Sequence, residues 1–537
     1  MVWLSEPEGR LRDEAHFGNR VVRCFAERPP HVDAMLQRAV ETGADRDAVV
    51  CGEIRLTYAE LDRRVEAVAA NLWNRFRVRP GERVALYGGN APESVLVFLA
   101  GARIGAVVIP LSERLRRAEL QYMLSDSGAR ILIFEAELGQ HVPEPSRTPG
   151  VEHRIVFGDG KSDGVSFDVL REPASVTRPA IAEEEIAYIL YTSGTTGRPK
   201  GALLTHFNIA HSVIHYGACM GLTDTDRSLM AVPIAHVTGL VAQLLTMVHV
   251  GGATVMMRAF KAEHALAMIT EERITHSVMV PAMYELMLRH ADFATSDLGS
   301  MRIGAFGGAP MPQATIASLR ERMPNLTLMN VYGATETTSP ATMLPPGMIE
   351  SRPGSVGISV PCADIRIMDE HHCEVPTGQT GEIWIGGPMV VPGYWRNADA
   401  TADSFTAGYW HSGDVGRIDE DGYLEVLDRT KDMINRGGYK IYSAEVENVL
   451  TQHVDVVECA VVARPCPVLG ERVHAFVVLS GTGAGDKDLK AFCADRLADY
   501  KVPEAFTRID GALPRNANGK VMKERLRAQL QDTGKSA

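Results

Sequence analysis

Residues 192–201 read Thr-Ser-Gly-Thr-Thr-Gly-Arg-Pro-Lys-Gly, and every position from Thr192 to Gly197 is hydroxylated or glycine. Arg198 and Lys200 follow, and the apolar run 186–190 precedes. A strand feeding such a loop suits a polyanion such as a triphosphate. Backbone N–H groups come close where no Cβ intervenes, hydroxyls add donors, and a lysine adds charge. The spacing is not Walker A, which needs Gly-x-x-x-x-Gly-Lys-Ser/Thr with a helix starting at the lysine. Here Arg198 and Pro199 separate Gly197 from Lys200, and a proline holds its predecessor extended. On composition alone a loop of this kind is usually a solvated connector, so its meaning depends on what accompanies it.

Three other stretches carry compatible groups. Glu336, in Asn330-Val-Tyr332-Gly333-Ala-Thr335-Glu336, would suit a magnesium ion bridging phosphate oxygens. Asp414, after His-Ser-Gly, could accept from both hydroxyls of a ribose diol. Lys520, after Asn518-Gly519, is a cation at a turn near the end of the chain. Together these groups suit ATP and an in-line attack on phosphorus, with catalysis by positioning and charge neutralisation. Which phosphorus is attacked is left open. Gly160-Lys-Ser162-Asp-Gly164 matches the hydrolase nucleophile elbow in letters, but it lacks the strand before and helix after that the motif needs. No catalytic serine is read there.

These groups need a scaffold, and the patterning supplies one. Between 32 and 156, helical repeats alternate with short β-branched runs: a helix opening on the capping box Thr57/Glu60, then strand 83–87, helix 91–104, strand 106–110, helix 114–125 and strand 131–134. That order implies right-handed βαβ crossovers and a parallel sheet. A second series follows the loop. A helix starts at Thr205, a strand ends at His236, and 279–284 and 303–310 each look like a strand ending in a small-residue loop. Ligands in parallel sheets sit beyond the carboxyl ends of strands, so these loops should converge on one cleft. The run 228–257 contains no Asp, Glu, Lys or Arg, yet Pro233, Gly239, Gly251 and Gly252 break it into strand, helix 240–250 and strand 253–256.

Beyond Pro345 short strands dominate, and a burst of charge at 428–432 marks a boundary. The expected fold class is therefore α/β. A large N-terminal domain, 1–428, is built of parallel αβ subdomains with a β-rich subdomain at about 345–428. A hinge at 429–432 leads to a small, mobile α+β lid domain at 433–537.

The chain has 537 residues, 45% hydrophobic and 23% charged, with a net charge of −12. That balance argues against nucleic acid or an anionic membrane as partner. Eight scattered cysteines without metal spacing, and no secretory signal, point to reduced thiols in the cytoplasm. The sequence allows a homodimer but fixes no oligomeric state.

The loop 192–201, the Tyr332-to-Glu336 stretch, the Gly413-Asp414 pair, 428–432 and 514–520 resemble the adenylate-forming (AMP-binding) superfamily, in its acyl-CoA synthetase (acid–CoA ligase) branch. The resemblance spans nearly the whole chain. It implies that a small-molecule carboxylic acid attacks the α-phosphorus of ATP to give acyl-AMP and pyrophosphate, and that coenzyme A then takes the acyl group and releases AMP. It implies ATP-binding roles for Thr192, Ser193, Gly194, Thr195, Thr196, Lys200, Gly308, Ala309, Pro310, Asn330, Tyr332, Asp414 and Arg429. Lys520, Glu336 (on Mg²⁺), Thr335 and His236 become the catalytic set, and Lys431 the hinge. Gly437, Gly438 and Arg258 would contact coenzyme A. The acyl pocket would involve Val237, Thr238, Gly239, Met283, Tyr284, Ala305, Phe306, Gly307 and Gly333. Amino-acid-activating relatives carry Asp where this chain has Val237, so an α-amino acid is disfavoured, and aryl and alkyl acids both remain open. Two other readings are loading of an acyl carrier protein and a non-catalytic nucleotide-binding protein. Intact Glu336, Lys431 and Lys520 oppose the second.

Overall fold

The computed structural model describes residues 2–5, 9–160, 162–192, 198–481, 484–515 and 521–533. The chain folds into two units, one of Met1–Ile365, Trp384–His411 and Gly422–Leu424, the other of Arg366–Ile383, Ser412–Asp421 and Glu425–Ala537. Residues 366–383 and 412–421, which the sequence groups with the larger domain, thus cluster with the C-terminal segment.

In the first unit the apolar runs Arg83–Tyr87, Val107–Leu111 and Ile131–Glu135 are neighbouring parallel strands, with Val84 opposite both Val108 and Ile131. They are buried almost throughout, as a parallel sheet covered on both faces requires. This sheet runs from Lys200–Thr205 and Ile186–Thr192 at one edge, through those three strands, to His153–Phe157 and Val165–Ser166. Helix Tyr58–Asn74 packs on the core through Leu61, Val65, Val68 and Leu72, and the Thr57/Glu60 capping box forms.

The second sheet of this unit is parallel from Asp47–Cys51 through Ala253–Met256, Arg227–Met230, His276–Met279 and Ile303–Gly307 to Thr327–Tyr332. Helix His206–Cys219 is buried along its whole length. The uncharged run folds as strand, helix and strand, but its helix begins as a π-helix, Thr238–Leu245, before the α-turn Thr246–Val250. Among the described residues no helix is long and apolar enough to cross a membrane. The expected loop after Met279 is instead a helix, Pro281–Arg289, with Pro281 at its first position. Proline is pre-organised for that place because the N–H it lacks would have had no partner there.

In the second unit Ile434–Arg436, Tyr439–Ile441, Gly470–Leu479 and Val456–Cys466 form an antiparallel sheet, with Ala505–Arg508 added parallel to Gly470–Leu479. Helices Ser443–Leu450 and Asp486–Ala494 bury Val446, Leu450 and Leu489 against Val461, Val473 and Val477.

Candidate active site

Strands Ile186–Thr192 and Lys200–Thr205 pair antiparallel, with Thr192 opposite Lys200 and Tyr191 opposite Gly201. The strands that flank the donor-rich loop are therefore paired, and Lys200 opens a strand rather than a helix, as Pro199 implies. Ser193, Gly194, Thr195 and Thr196 lie outside the described residues. The strand pair is braced from outside. Tyr191 donates to Asp126 Oδ2 at 2.6 Å, and Trp395 Nε1 donates to the Asp126 carbonyl at 3.1 Å.

Glu336 stands in the turn Thr335–Thr337, which follows strand Thr327–Tyr332, and is only 7% exposed. Its Oε1 accepts from Thr192 Oγ1 at 3.1 Å, across 144 residues of sequence, and from the Tyr394 hydroxyl at 3.0 Å. Burial, and then the adjacent Glu336 carboxylate, push the Tyr394 phenol well above its ordinary range, so it remains a neutral donor. The Lys200 ammonium lies 5.0 Å from the centre of the Tyr394 ring. The next residues are strained. Thr338 and Ser339 take φ values of 49° and 35°, a region that a β-branched residue rarely enters without a compensating constraint. A carboxylate offers about four lone-pair positions, so two hydroxyl donors leave room for a cation. The residues present thus fit a magnesium ion.

Other expected nucleotide contacts also take definite places in this unit. Asn330 is buried and donates through Nδ2 to the Ser355 carbonyl at 3.1 Å. Gly308 has φ +77°, and Ala309 and Pro310 beside it are exposed. Tyr332, at the end of its strand, and Thr335 are half-buried, and Gly333 is exposed. At Gly307 a Cβ would lie 2.4 Å from the Val331 carbonyl oxygen, so the close strand pairing requires glycine.

The acyl-pocket set divides. Ala305 and Phe306 are successive strand residues and point to opposite faces. Ala305 packs with Tyr216, Ala242 and Val331, whereas Phe306 packs with Tyr284, Met279 and Met311, and Met283 joins that second cluster. Tyr284 is fully buried, its hydroxyl spent on the Ala305 carbonyl at 2.9 Å. On the first face, Leu240 N donates to the half-buried His236's carbonyl at 2.9 Å as the π-helix begins. Val237 is buried, Thr238 is half-buried, and at Gly239 a Cβ would meet the Pro233 carbonyl oxygen at 2.3 Å. Arg258, assigned by resemblance to coenzyme A, is ion-paired with the buried Glu135 and lies 3.8 Å from Glu137.

In the second unit the two candidate ribose residues meet, with Arg429 Nε 3.3 Å from Asp414 Oδ1. Asp414 is 8% exposed and lies within strand Tyr409–Ile418 rather than in a free turn. Lys431 is exposed. Gly437 and Gly438, with φ of 61° and 93°, form the two-residue turn between Arg436 and its partner Tyr439. A hairpin turn with positive φ at both positions calls for glycine on backbone grounds alone. Lys520 lies outside the described residues.

Sequence reading missed Tyr394 and Asp126. Tyr394 meets Glu336 only through the tertiary fold, and Gly-Tyr-Trp in a loop carries no local chemical signal.

Residues 36–395 match the family described as AMP-binding enzyme, and residues 445–520 its C-terminal domain. The chain belongs to the AMP-binding enzyme family. Among members of that family, a feruloyl-CoA synthase of an Amycolatopsis species is 37% identical over 90% of this chain and 96% of its own. A fatty acid–[acyl-carrier-protein] ligase of Streptomyces coeruleorubidus is 34% identical over 89% of this chain and 92% of its own. The o-succinylbenzoate CoA synthetase of Bacillus subtilis, solved with its acyl-adenylate intermediate, superposes with a TM-score of 0.84 at 30% identity, covering 94% of this chain and 99% of that one. The same enzyme has been solved with ATP and a magnesium ion.

Proposed function

We propose that this AMP-binding enzyme is an AMP-forming acid–thiol ligase acting on an aryl-bearing carboxylic acid. The acid's carboxylate oxygen attacks the α-phosphorus of ATP, the bond to pyrophosphate breaks, and acyl-AMP forms. The coenzyme A thiolate then attacks the acyl carbonyl, and AMP leaves. The observation that carries this reading is the meeting of Thr192, Glu336 and Tyr394 beside Lys200. It supports reading Glu336 as the metal-binding carboxylate and Lys200 as the phosphate-binding cation.

Within that reading, Lys200 and the donor-rich loop neutralise charge on the departing pyrophosphate. Glu336 would hold magnesium, which would supply positive charge against the phosphates as negative charge develops. Asp414, with Arg429 Nε 3.3 Å away, would accept from the ribose hydroxyls. Val237 leaves an α-ammonium without a buried partner, which is costly. The preference for an aryl acid is supported by the feruloyl-CoA and o-succinylbenzoate relatives and by the small side chains of Ala305 and Ala242 on the π-helix side of the sheet.

The carrier-protein ligase favours a second reading, in which the acceptor is a carrier's phosphopantetheine. One experiment separates the two. Pyrophosphate and AMP are followed with ferulate, other aryl acids and alkyl acids of graded length, with coenzyme A or an acyl carrier protein. The expected result is aryl-acid-dependent pyrophosphate release, with AMP turnover requiring coenzyme A. Turnover on the carrier alone would favour the second reading, and release of ADP and orthophosphate would overturn both.

A further inference from the structure

Tyr394 belongs to no motif identified in the sequence, yet it touches both charged groups of the phosphate site. Its backbone is tied to the strand that begins at Lys200. Ala202 and Tyr394 form an antiparallel bridge, Leu203 N donates to the Gly393 carbonyl at 3.1 Å, and Trp395 N donates to the Gly201 carbonyl at 2.7 Å. Its own N–H donates to Thr401 Oγ1 at 3.0 Å, and its ring packs edge-on against Phe405 with centroids 5.6 Å apart. The ring is therefore fixed. Its hydroxyl points at Glu336 Oε1, and its face lies under the Lys200 ammonium.

We propose that Tyr394 is a positioning residue for both groups: its hydroxyl sets the rotation of the Glu336 carboxylate, and its ring seats the Lys200 ammonium. The proposal rests on the reading of Glu336 as the magnesium acid and of Lys200 as the phosphate cation. A carboxylate turns freely about its last bond unless its oxygens are held, and magnesium tolerates little departure from octahedral geometry at about 2.0–2.1 Å. Thr192 and Tyr394 both donate to Oε1, so that oxygen is pinned and the carboxylate's remaining lone pairs face one fixed direction. Outer-shell hydrogen bonds of this kind typically alter metal affinity or activity by about 10–100-fold. The ring adds a second constraint, because a cation over an aromatic face is attracted to its quadrupole. One side chain thus holds the metal acid and the phosphate cation in register.

The test compares Tyr394→Phe, Tyr394→Leu and Glu336→Gln with the wild type in acid-dependent pyrophosphate release, titrating free Mg²⁺ and then ATP. Tyr394→Phe keeps the ring and loses the hydroxyl, so its half-saturating Mg²⁺ should rise about 10–100-fold while the KM for the acid stays put. Tyr394→Leu should show the same Mg²⁺ shift and, in addition, a raised KM for ATP. If Tyr394→Phe titrates with Mg²⁺ like the wild type while Glu336→Gln does not, the positioning role is overturned and the metal assignment survives. If Glu336→Gln itself keeps wild-type Mg²⁺ dependence, the metal assignment falls and takes this proposal with it. Should Tyr394→Phe melt early, Mg²⁺-dependent ATP binding measured by calorimetry below its transition gives the same comparison, and an unshifted half-saturation there would be equally decisive.

Discussion

Arg527 donates to the carbonyl oxygen of Lys431 at 3.0 Å, across 96 residues of sequence, and pairs with Asp432 beside it. One turn earlier on the same helix, Lys523–Thr533, Lys523 donates to Ser443 Oγ at 2.7 Å, and Ser443 in turn donates to Asp428 Oδ1 at 3.0 Å. The helix that follows Lys520 therefore grips the segment 428–432 at both ends. If that segment is the hinge that the resemblance implies, the Arg527 contact favours whichever hinge conformation forms it. Losing the partly exposed Arg527 contacts to the Lys431 carbonyl and Asp432 together is worth about 1 kcal/mol, which is about a five-fold change in an equilibrium. Arg527→Ala should thus shift the ratio of adenylation to thioester-forming rate by about five-fold. The two half-reactions are measured separately, by pyrophosphate exchange and by thioester formation from supplied acyl-adenylate. An unchanged ratio would remove the hinge role from Lys431.

Lys520 is expected to act in only one of those half-reactions. A preorganised cation beside the charge developing at the α-phosphate is worth about 10²–10³ in rate, by analogy with a single oxyanion donor. Lys520→Ala should therefore lower adenylate formation by that factor and leave thioester formation from supplied acyl-adenylate near the wild-type rate. A parallel fall in both would show that the lysine's role lies elsewhere.

Where local rules decide structure, the sequence was legible. Thr57 and Glu60 signal their capping box three residues apart, Pro199 argues against a P-loop helix opening at Lys200, and the strand at Ala253–Met256 follows from a β-branched run after two glycines. Long-range pairing was not legible. Tyr394 reaches Glu336 only because the strand at Lys200 carries Gly393 to Trp395 alongside it. The two faces taken by Ala305 and Phe306 were not legible for a different reason. Adjacency in a strand places two side chains on opposite faces, and resemblance by motif ignores that alternation. The glycines at 437 and 438 were read in sequence only as coenzyme A contacts, and the hairpin geometry supplies a backbone reason for both.

Gly239 is the position where the π-helix and the candidate pocket depend on one missing methyl. A Cβ there would lie 2.3 Å from the Pro233 carbonyl oxygen and 2.9 Å from the Ile234 Cα, both backbone atoms with no rotamer to yield. Gly239→Ala must then push the Pro233–His236 segment away, at about 1–3 kcal/mol for overpacking. The expected outcome is a lower melting temperature together with a raised KM for the acid, because the displaced segment carries His236. A variant that melts and binds acid like the wild type would show that the segment has room to move.

Stability should also fall on mild acidification, because several histidines, His206, His215 and His276 among them, are buried in the neutral form. Burial lowers His206 and His215 from 6.5 to about 3 and His276 to about 4. Unfolding releases each to its ordinary value near 6.5, so below that pH the unfolded chain binds more protons than the folded one. The stability held by the neutral rings is complete above about pH 6.5 and is lost as the pH drops towards 4 and then 3. Each ring contributes a slope of about 1.4 kcal/mol per pH unit inside that window, so the three together cost about 4 kcal/mol per unit. Denaturant midpoints measured from pH 7 to 5 should show this decline. In His215→Gln the slope should be shallower by about 1.4 kcal/mol per unit. An unaltered slope in that variant would mean that His215 is already protonated in the native state.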